Sequence, residues 1–242
     1  MKPEGAYKEI DEEGLEVLNV ISAADNFNYW MYQTIAPFCA GKILEVGSGV
    51  GNISQYFIQK KEDIVLSDIG SHYRSVLKEK FSSHSDRVLD LDIVHDDFEK
   101  TYAELLGRFD SIFCLNVVEH IEDDSLAIQN MLKLLKAKGK LTVLVPAHQA
   151  LYNGFDVTLQ HFKRYNKKSV RALMAPHGKL LDTFYFNAMG IPGWFISGNL
   201  FGNKTIPERD MKLYNLFVPI FKLIDKITFR KVGLSVICVL EK

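Results

Sequence analysis

The sequence predicts a doubly wound α/β fold, in which a largely parallel seven-stranded sheet with an antiparallel last strand carries helices on both faces. Apolar, β-branched runs alternate with helical patterns from residue 42 onward. A glycine-rich turn follows the first of these runs. The chain has 242 residues, of which 47% are apolar, with a formal net charge of -1, as in ordinary soluble globular proteins.

The elements follow from local patterning. Helices are predicted at 71–81, 125–136 and 169–174, the second ending at a Lys138-Gly139 stop, and one or two more between Gly14 and Pro37. Seven short apolar runs are the predicted strands, at 42–46, 64–67, 88–91, 111–115, 140–145, 180–186 and 234–240.

No repeat or Pro/Ser-rich linker divides the chain, so residues 1–242 are predicted to form one domain. Within it we expect an N-terminal helical cap over residues 1–40 and a ligand-binding core over 41–146. Residues 147–179 and 188–230 are expected to be substrate-side insertions of helices and loops that cover the active site.

The second insertion is unusually apolar. Residues 183–203 carry no charge, but Gly190, Pro192, Gly193 and Gly198 argue against a membrane-spanning helix. A helical apolar stripe follows at 213–224, where Pro219 is expected to bend the helix. Two interpretations of this segment remain open. It packs in the core, or it forms an apolar lip around a hydrophobic substrate or against a membrane surface.

Charge and cysteine content narrow the class of protein. A net charge of -1 gives no general attraction to nucleic acid. Three separated cysteines form neither a disulfide framework nor a thiolate zinc site, which favours a reducing compartment. The acidic, polar N-terminal residues do not resemble a secretory signal, so we predict a cytoplasmic protein without stable membrane insertion.

The main functional signal is the run Glu45-Val46-Gly47-Ser48-Gly49-Val50-Gly51 after the first strand. Glycines at such a turn bring bare backbone against a ligand, although glycine turns also serve as simple strand–helix connections. Asn52 stands where a dinucleotide fingerprint needs glycine, and no Lys-Ser/Thr pair follows to make a P-loop. Asp68 ends the second strand 21 residues after Gly47, a spacing suited to an acid that binds ribose hydroxyls.

This order of residues resembles the class I S-adenosylmethionine-dependent methyltransferases, whose first motif is E/D-x-G-x-G-x-G. The pattern P-A…L-Y…D…H-x-x-R-Y over residues 146–165, with Asn187…Gly190…Gly193-Trp194 and Gly233-Leu234-Ser235, resembles a bacterial small-molecule subgroup of the methyltransferase type 11/12 kind. That subgroup commonly has glycine where this chain has Gln160.

The resemblance implies S-adenosylmethionine as the cofactor. The glycine turn would pass under its methionine part, Glu45 would hold the ammonium group, and Asp68 would bind the ribose. Asp92 would meet the adenine amino group between Ile69 and Ile93, although Asp90 competes for this role. The cofactor-binding residues implied are Glu45, Gly47, Ser48, Gly49, Gly51, Asn52, Asp68, Ile69, Asp92, Ile93 and Asn116.

Missing motifs narrow the acceptor to a small molecule. Asn116-Val117-Val118-Glu119 lacks the Pro-Pro-aromatic of base-flipping amino-methyltransferases, and Pro146-Ala147 lacks a cysteine nucleophile. Residues 145–148 offer no acid cluster for Mg²⁺, so no metal is expected. Six Lys/Arg and no acid between residues 161 and 179 indicate an anionic acceptor or a solvated face. The expected substrate contacts are Tyr152, Arg164 as a bidentate anchor, Tyr165 and Trp194.

Methyl transfer is an in-line displacement, so it needs alignment and uses a base only for a hydroxyl or ammonium acceptor. His161 is the first candidate for that base, followed by His120 and then His148, with a purely structural histidine as the alternative. Two other functions remain open from the sequence, a nicotinamide-dependent oxidoreductase and a non-catalytic cofactor-binding or interaction module. The sequence does not indicate an oligomeric state.

Overall fold

A computed structural model describes residues 12–203 and 205–242. Its seven strands form one sheet in the order β3-β2-β1-β4-β5-β7-β6. The predicted strands are all confirmed, with ends that differ by a few residues. They are β1 (Ile43–Val46), β2 (Ile64–Asp68), β3 (Val88–Asp90), β4 (Phe109–Leu115), β5 (Leu135–Pro146), β6 (Lys179–Phe186) and β7 (Ser235–Glu241).

The pairing pattern is that of a doubly wound sheet. Strands β1 to β5 pair in parallel, whereas β7 runs antiparallel to both β5 and β6, which confirms the predicted antiparallel last strand. Strands β2 and β3 are added on one side of β1, whereas β4 and the later strands are added on its other side. The strand order therefore reverses between β1 and β4. Ligands of such folds bind in the crevice at the carboxyl ends of the strands on either side of that switch point.

Helices connect the strands. The first two, α1 (Glu12–Ser22) and α2 (Asp25–Ile35), confirm the N-terminal helical prediction. The others are α3 (Ser54–Gln59), α4 (Ser71–Lys80), α5 (Phe98–Thr101), α6 (Asp124–Leu134), α7 (Gly154–Thr158), α8 (Lys167–Met174), α9 (Gly190–Trp194) and α10 (Glu208–Ile227).

The predicted end of α6 is wrong. The helix stops at Leu134, and β5 begins at Leu135, which pairs with Phe109 of β4. Lys138 and Gly139 therefore lie inside the strand, where Lys138 has a φ of +63°. Phe109 pairs with Leu135, and Ser111 pairs with Lys140, so the segment of β5 between these pairs is longer than that of β4. The extra residues of β5 form the irregular backbone.

The core consists of two apolar layers, one on each face of the sheet. Neighbouring residues of one strand enter different layers: Leu44 and Ile112 lie in one, and Ile43 and Phe113 in the other. Side chains alternate between faces along a strand, so a strand that is buried on both sides reads as a continuous apolar run. This is why the strands were recognisable from the sequence.

The N-terminal helices and α10 pack together beside the carboxyl ends of the strands. The Phe27 amide donates a hydrogen bond of 3.0 Å to Oδ1 of Asn215 on α10. The Trp30 and Phe186 rings lie 4.4 Å apart between centroids, which anchors α2 to β6. Helices α1, α2 and α10 contact one another and line the crevice from above, and we call these three helices the roof.

The uncharged segment 183–203 begins in β6 and continues through α9 into a π-helical turn, Phe195–Leu200. Pro219 lies inside α10, which continues to Ile227. In the part of the chain that the structure describes, no helix has both the length and the apolar character needed to cross a membrane.

Candidate active site

A cavity of about 1470 Å³ opens at the carboxyl ends of the strands, beneath α1 and α10. Single small-molecule sites commonly occupy about 300–1,000 Å³, so this cavity has room for two ligands side by side. It brings together most of the predicted site residues. Those in its wall are Glu45, Gly47, Ser48, Gly49, Asn52, Asp68, Ile69, Asp92, Ile93, Asn116, His120, His161, Arg164 and Trp194.

The glycine turn after β1 needs its glycines. Gly47, Gly49 and Gly51 have φ values of +73°, +53° and +76°, a region that side chains rarely adopt. A Cβ on Gly47 would lie 2.3 Å from Cγ2 of Val117. Gly51 is not among the cavity-lining residues, and a Cβ there would lie 2.5 Å from the Phe81 ring. Gly51 therefore shapes the turn, while Gly47 and Gly49 face the cavity.

Glu45 is a buried carboxyl group in the cavity wall. Its Oε2 accepts a hydrogen bond from the Ser54 hydroxyl. Burial raises the pKa of Glu45 to about 8, although hydrogen bonds from Ser54 and Ser48 oppose the shift. The buried site therefore favours the neutral carboxyl group of Glu45. An approaching cation, such as the predicted ammonium group, would favour the carboxylate instead.

Asp68 closes the same wall from the end of β2. Its Oδ2 accepts a hydrogen bond of 2.9 Å from the Gly49 amide, and its Oδ1 accepts one of 2.9 Å from the Gly70 amide. Burial raises the pKa of Asp68 despite these two bonds. Each carboxylate oxygen can accept a further hydrogen bond, so the fixed group retains capacity for ligand hydroxyls.

The two acids after β3 are separated by the structure. Asp92 lines the cavity, where its Oδ1 accepts a hydrogen bond of 2.9 Å from the Val94 amide. Asp90 instead pairs with Arg74 at 2.8 Å, its side chain is 65% exposed, and it is not among the lining residues. Of these two acids, the one that lines the cavity is Asp92, which follows the end of β3 at Asp90 and lies beside the buried Ile93.

The end of β4 supplies a second wall. Asn116, with a φ of +53°, precedes a 3₁₀ turn, Val118–His120, that places Glu119 and His120 in the lining. Glu119 is fully buried, and neither of its carboxylate oxygens has a hydrogen-bond partner among the described residues. Burial raises its pKa to about 7, while the nearby His161 and Arg164 oppose this. Sequence reasoning gave Glu119 no role.

Asp156 is the other residue that sequence reasoning left without a role. It lies in α7, fully buried, and its Oδ1 lies 2.8 Å from both His161 Nδ1 and Arg164 Nε. Burial would raise its pKa, but the hydrogen bonds from His161 and Arg164 hold that pKa below its ordinary value. Asp156 is therefore an anion that orients the first candidate base.

Arg164 is more heavily engaged than an open anion anchor would be. It is buried, its Nη1 donates to the Ala147 carbonyl at 3.2 Å, and its guanidinium lies 4.5 Å from the Trp194 ring centroid. Lys163 beside it pairs with Asp124 at 2.7 Å. Because these charges already have partners, the basic segment is less available to an anionic acceptor than its sequence suggests.

Three predicted side chains lie behind the cavity wall and not in it. Tyr152 donates a hydrogen bond of 2.7 Å to the His161 carbonyl, and the buried Tyr165 donates one of 2.8 Å to Asp124. His148 stacks on Tyr185 with centroids 4.9 Å apart. We therefore revise Tyr152 and Tyr165 from substrate contacts to supports of the wall, and we remove His148 from the candidate bases.

Gln160 adopts a φ of +57° immediately before His161. This is the left-handed region, in which glycine costs nothing and a side chain is strained. The turn therefore keeps the geometry for which the resembling subgroup commonly uses glycine, and the cavity still reaches Gln160.

Comparison with known proteins agrees with this geometry. The sequence model of a family described as a methyltransferase domain matches residues 44–141. The chain is 28% identical over 111 residues to the ubiquinone biosynthesis O-methyltransferase of Leptothrix cholodnii, covering 46% of each chain. It is 27% identical over 155 residues to the ubiquinone/menaquinone biosynthesis C-methyltransferase UbiE of Pseudoalteromonas translucida, covering 58% of this chain and 59% of that one. The matches thus span about half the length of these curated relatives.

Among solved structures, the fold is similar to that of a SAM-dependent methyltransferase from Archaeoglobus fulgidus. The TM-score is 0.57 with 15% identity, over 89% of this chain and 94% of the other. At this identity the likeness concerns the fold alone. The domain match over residues 44–141, the strand order and the glycine turn agree with the resemblance to the class I S-adenosylmethionine-dependent methyltransferases.

Proposed function

We propose that this protein transfers a methyl group from S-adenosylmethionine to a small-molecule acceptor. One observation carries the proposal: the glycine turn, Glu45 and Asp68 share one wall of a cavity that has room for a second ligand. The cofactor supplies an electrophilic methyl group on a sulfonium. The residues of the chain bind and align the two ligands, and alignment is the main requirement of such a displacement.

On the cofactor side, Glu45 binds the ammonium group and Asp68 binds the ribose hydroxyls. A carboxylate is suited to both tasks because its hydrogen bonds to such donors are charge-assisted. Asp92 binds the adenine amino group, with Ile69 and Ile93 on the two faces of the ring. Ser48, Asn52 and Asn116 complete the polar lining. Support comes from the burial of Asp68 and from the unpaired, buried Oδ1 of Asn52.

On the acceptor side, the wall is formed by apolar side chains and two histidines. Phe155, Trp194 and Phe217 line this region together with His120 and His161. We assign the activation of the acceptor to His161 and His120. An apolar wall with few polar groups suits a small acceptor with an apolar body better than a nucleic acid.

The apolar roof suggests how such an acceptor arrives. Leu216, Leu223 and Ile227 of α10 are 67%, 56% and 64% exposed. They continue the cavity wall, to which Leu213 and Phe217 of the same helix belong. Lys222 and Lys226 add positive charge to this helix, whereas Lys212 pairs with Glu208 at 2.6 Å. An exposed apolar face with basic residues fits the surface of an anionic membrane, so we propose peripheral contact there. We place the reaction in the cytoplasm, in keeping with three free cysteines.

Isothermal calorimetry of the full chain with S-adenosylmethionine and its demethylated product tests the cofactor half of the proposal. We expect both to bind. No heat of binding at millimolar concentrations of either ligand would contradict cofactor binding. NADH binding that is tighter than the binding of either ligand would favour the nicotinamide-dependent oxidoreductase. Methyl-labelled cofactor incubated with metabolite, lipid, RNA and protein extracts tests the acceptor half. Label in metabolites or lipids supports a small molecule, whereas label only in RNA or protein overturns it.

A further inference from the structure

Glu119, His120 and His161 meet at one point of the cavity wall. The amide of Phe162 donates a hydrogen bond of 2.8 Å to the Glu119 carbonyl, which joins the turn after β4 to the segment after α7. The His120 and His161 rings stand edge to face with centroids 4.7 Å apart. Each of the three residues presents a potential ligand atom within 4.8 Å of the other two.

The carboxylate of this cluster lacks a counterpart. Glu119 is fully buried, and its two oxygens have no hydrogen-bond partner among the residues that the structure describes. Burying a carboxylate without a partner is costly, so buried charges are normally paired or coordinate metals. Glu119 lies in the cavity lining, so a cation that enters the cavity could pair with its carboxylate.

The second observation is the carboxylate behind His161. Asp156 Oδ1 lies 2.8 Å from His161 Nδ1, and Arg164 Nε lies 2.8 Å from the same oxygen. An ionised Asp156 accepts a hydrogen bond from the Nδ1–H group, which leaves the Nε2 lone pair free for another partner. Histidines that bind metals characteristically donate a hydrogen bond from their second ring N–H to a carboxylate in this way.

We propose that Glu119, His120 and His161 bind a divalent transition-metal ion in the wall of the cavity. Two imidazoles and one carboxylate suit Zn²⁺, Co²⁺ or Fe²⁺ better than Mg²⁺ or Ca²⁺, which prefer oxygen ligands throughout. Residues 145–148 lack the oxygen ligands of a Mg²⁺ site, whereas Glu119, His120 and His161 form a different, nitrogen-rich set of ligands.

Three protein ligands leave a coordination position open, as in catalytic metal sites. The role of the metal in catalysis rests on the proposed methyl transfer. The metal binds the hydroxyl group of the acceptor and promotes loss of the hydroxyl proton to solvent. The oxygen lone pair then forms the new O–CH₃ bond. The S–CH₃ bond breaks, and its electron pair returns to sulfur to give the neutral thioether.

Metal binding is tested on the full chain after chelator treatment and dialysis. Calorimetry with ZnCl₂ and the visible d–d absorption of added CoCl₂ are expected to show one ion per chain. Glu119→Gln and His161→Ala are each expected to lower the affinity at least 10-fold, in line with the losses seen even for residues behind the ligands. His177→Ala, a histidine outside the cavity lining, is the matched control and should bind as the wild type does.

Cofactor binding to the same preparations separates the two proposals. If S-adenosylmethionine binds but neither ion binds more tightly than about 1 mM, the metal inference is wrong and the proposed function stands. If the ions bind but the cofactor does not, the reverse holds. Ion binding that Glu119→Gln and His161→Ala leave unchanged, in variants with wild-type circular dichroism, places the ion elsewhere and also overturns the inference.

Discussion

The Gly49 amide donates a hydrogen bond of 2.9 Å to Oδ2 of Asp68, which joins the glycine turn after β1 to the end of β2. The carboxylate that we assign to the ribose hydroxyls therefore also holds the glycine turn, which we assign to the methionine part of the cofactor. Its other oxygen is fixed by the Gly70 amide, also at 2.9 Å. The site is thus organised before a ligand enters, which reduces the entropic cost of binding.

Replacing Asp68 with alanine is expected to weaken S-adenosylmethionine binding by about 1.5–3 kcal/mol, the usual value of hydrogen bonds to a charged group. Calorimetry measures the loss directly. Asp90→Ala is the matched control, because Asp90 is an acid of the neighbouring strand that pairs with Arg74 away from the lining. Equal losses from both variants would contradict the assignment of Asp68 to the ribose.

Cofactor binding near pH 7 is expected to release a proton from Glu45. Burial raises the pKa of this carboxyl group to about 8, so it is largely protonated at pH 7 in the free protein. A ligand ammonium group favours the carboxylate and lowers that pKa, so the proton leaves on binding. The affinity should accordingly rise with pH and level off above about 8.

Calorimetry in buffers of different ionisation enthalpy measures this proton release. Glu45→Gln cannot titrate, so it should bind the cofactor more weakly and lose most of the pH dependence. Proton release that persists unchanged in Glu45→Gln would assign it to another group.

Gly47→Ala is expected to destabilise the fold and to weaken cofactor binding. The φ of +73° alone costs a side chain about 1–2 kcal/mol, and the new Cβ would lie 2.3 Å from Val117. Gly107→Ala is a matched control, since Gly107 has a φ of +65° with nothing within 4 Å of the added Cβ.

Urea unfolding compares the two variants. Gly47→Ala should lose more free energy of unfolding than Gly107→Ala, and adding Val117→Ala should recover part of the difference. Equal losses for the two glycines would show that backbone conformation alone requires Gly47.

The sequence predicted the strands, and it singled out Glu45, Gly47 and Asp68 of the cavity lining, because these signals are local. A strand buried on both faces, such as β4, reads as an apolar run wherever it occurs. The glycine turn and Asp68 follow from spacing along consecutive strands. The choice between Asp90 and Asp92 needed the structure, because residues two apart would share one face of a continuous strand, whereas β3 ends at Asp90 and the chain turns before Asp92.

Side chains whose roles depend on partners distant in sequence were harder to interpret. Arg164 looked like an open anion anchor because a sequence does not reveal that Asp156 neutralises it in the fold. Tyr165 looked accessible, but its hydroxyl reaches Asp124, 41 positions away. Glu119 carried a weak signal, a carboxylate beside His120 directly after a buried strand, and nothing local showed that its oxygens would be left unpaired.

The exposed apolar face of α10 is expected to bind membranes. Sedimentation with phosphatidylcholine vesicles, with and without phosphatidylglycerol, should show binding that anionic lipid strengthens and salt weakens. Leu216→Gln with Leu223→Gln should reduce it. Leu181→Gln, an exposed apolar residue of the edge strand β6, is the control and should leave it unchanged. Failure to sediment with either vesicle would contradict membrane contact by this face.

Loss of His161 is expected to affect turnover more than cofactor affinity. The His161 imidazole lines the cavity and is held by Asp156 at 2.8 Å, and we assign it to the acceptor and not to the ribose or adenine. His161→Ala should therefore lower label transfer from the cofactor to the accepting extract fraction by about 10²–10⁴-fold, with unchanged affinity in calorimetry. His148→Ala removes a histidine that stacks on Tyr185 outside the lining, so turnover should stay near wild type. If His161→Ala keeps near-full turnover, His161 does not activate the acceptor. If it loses cofactor binding instead, its role is to hold the segment after α7 over the cavity.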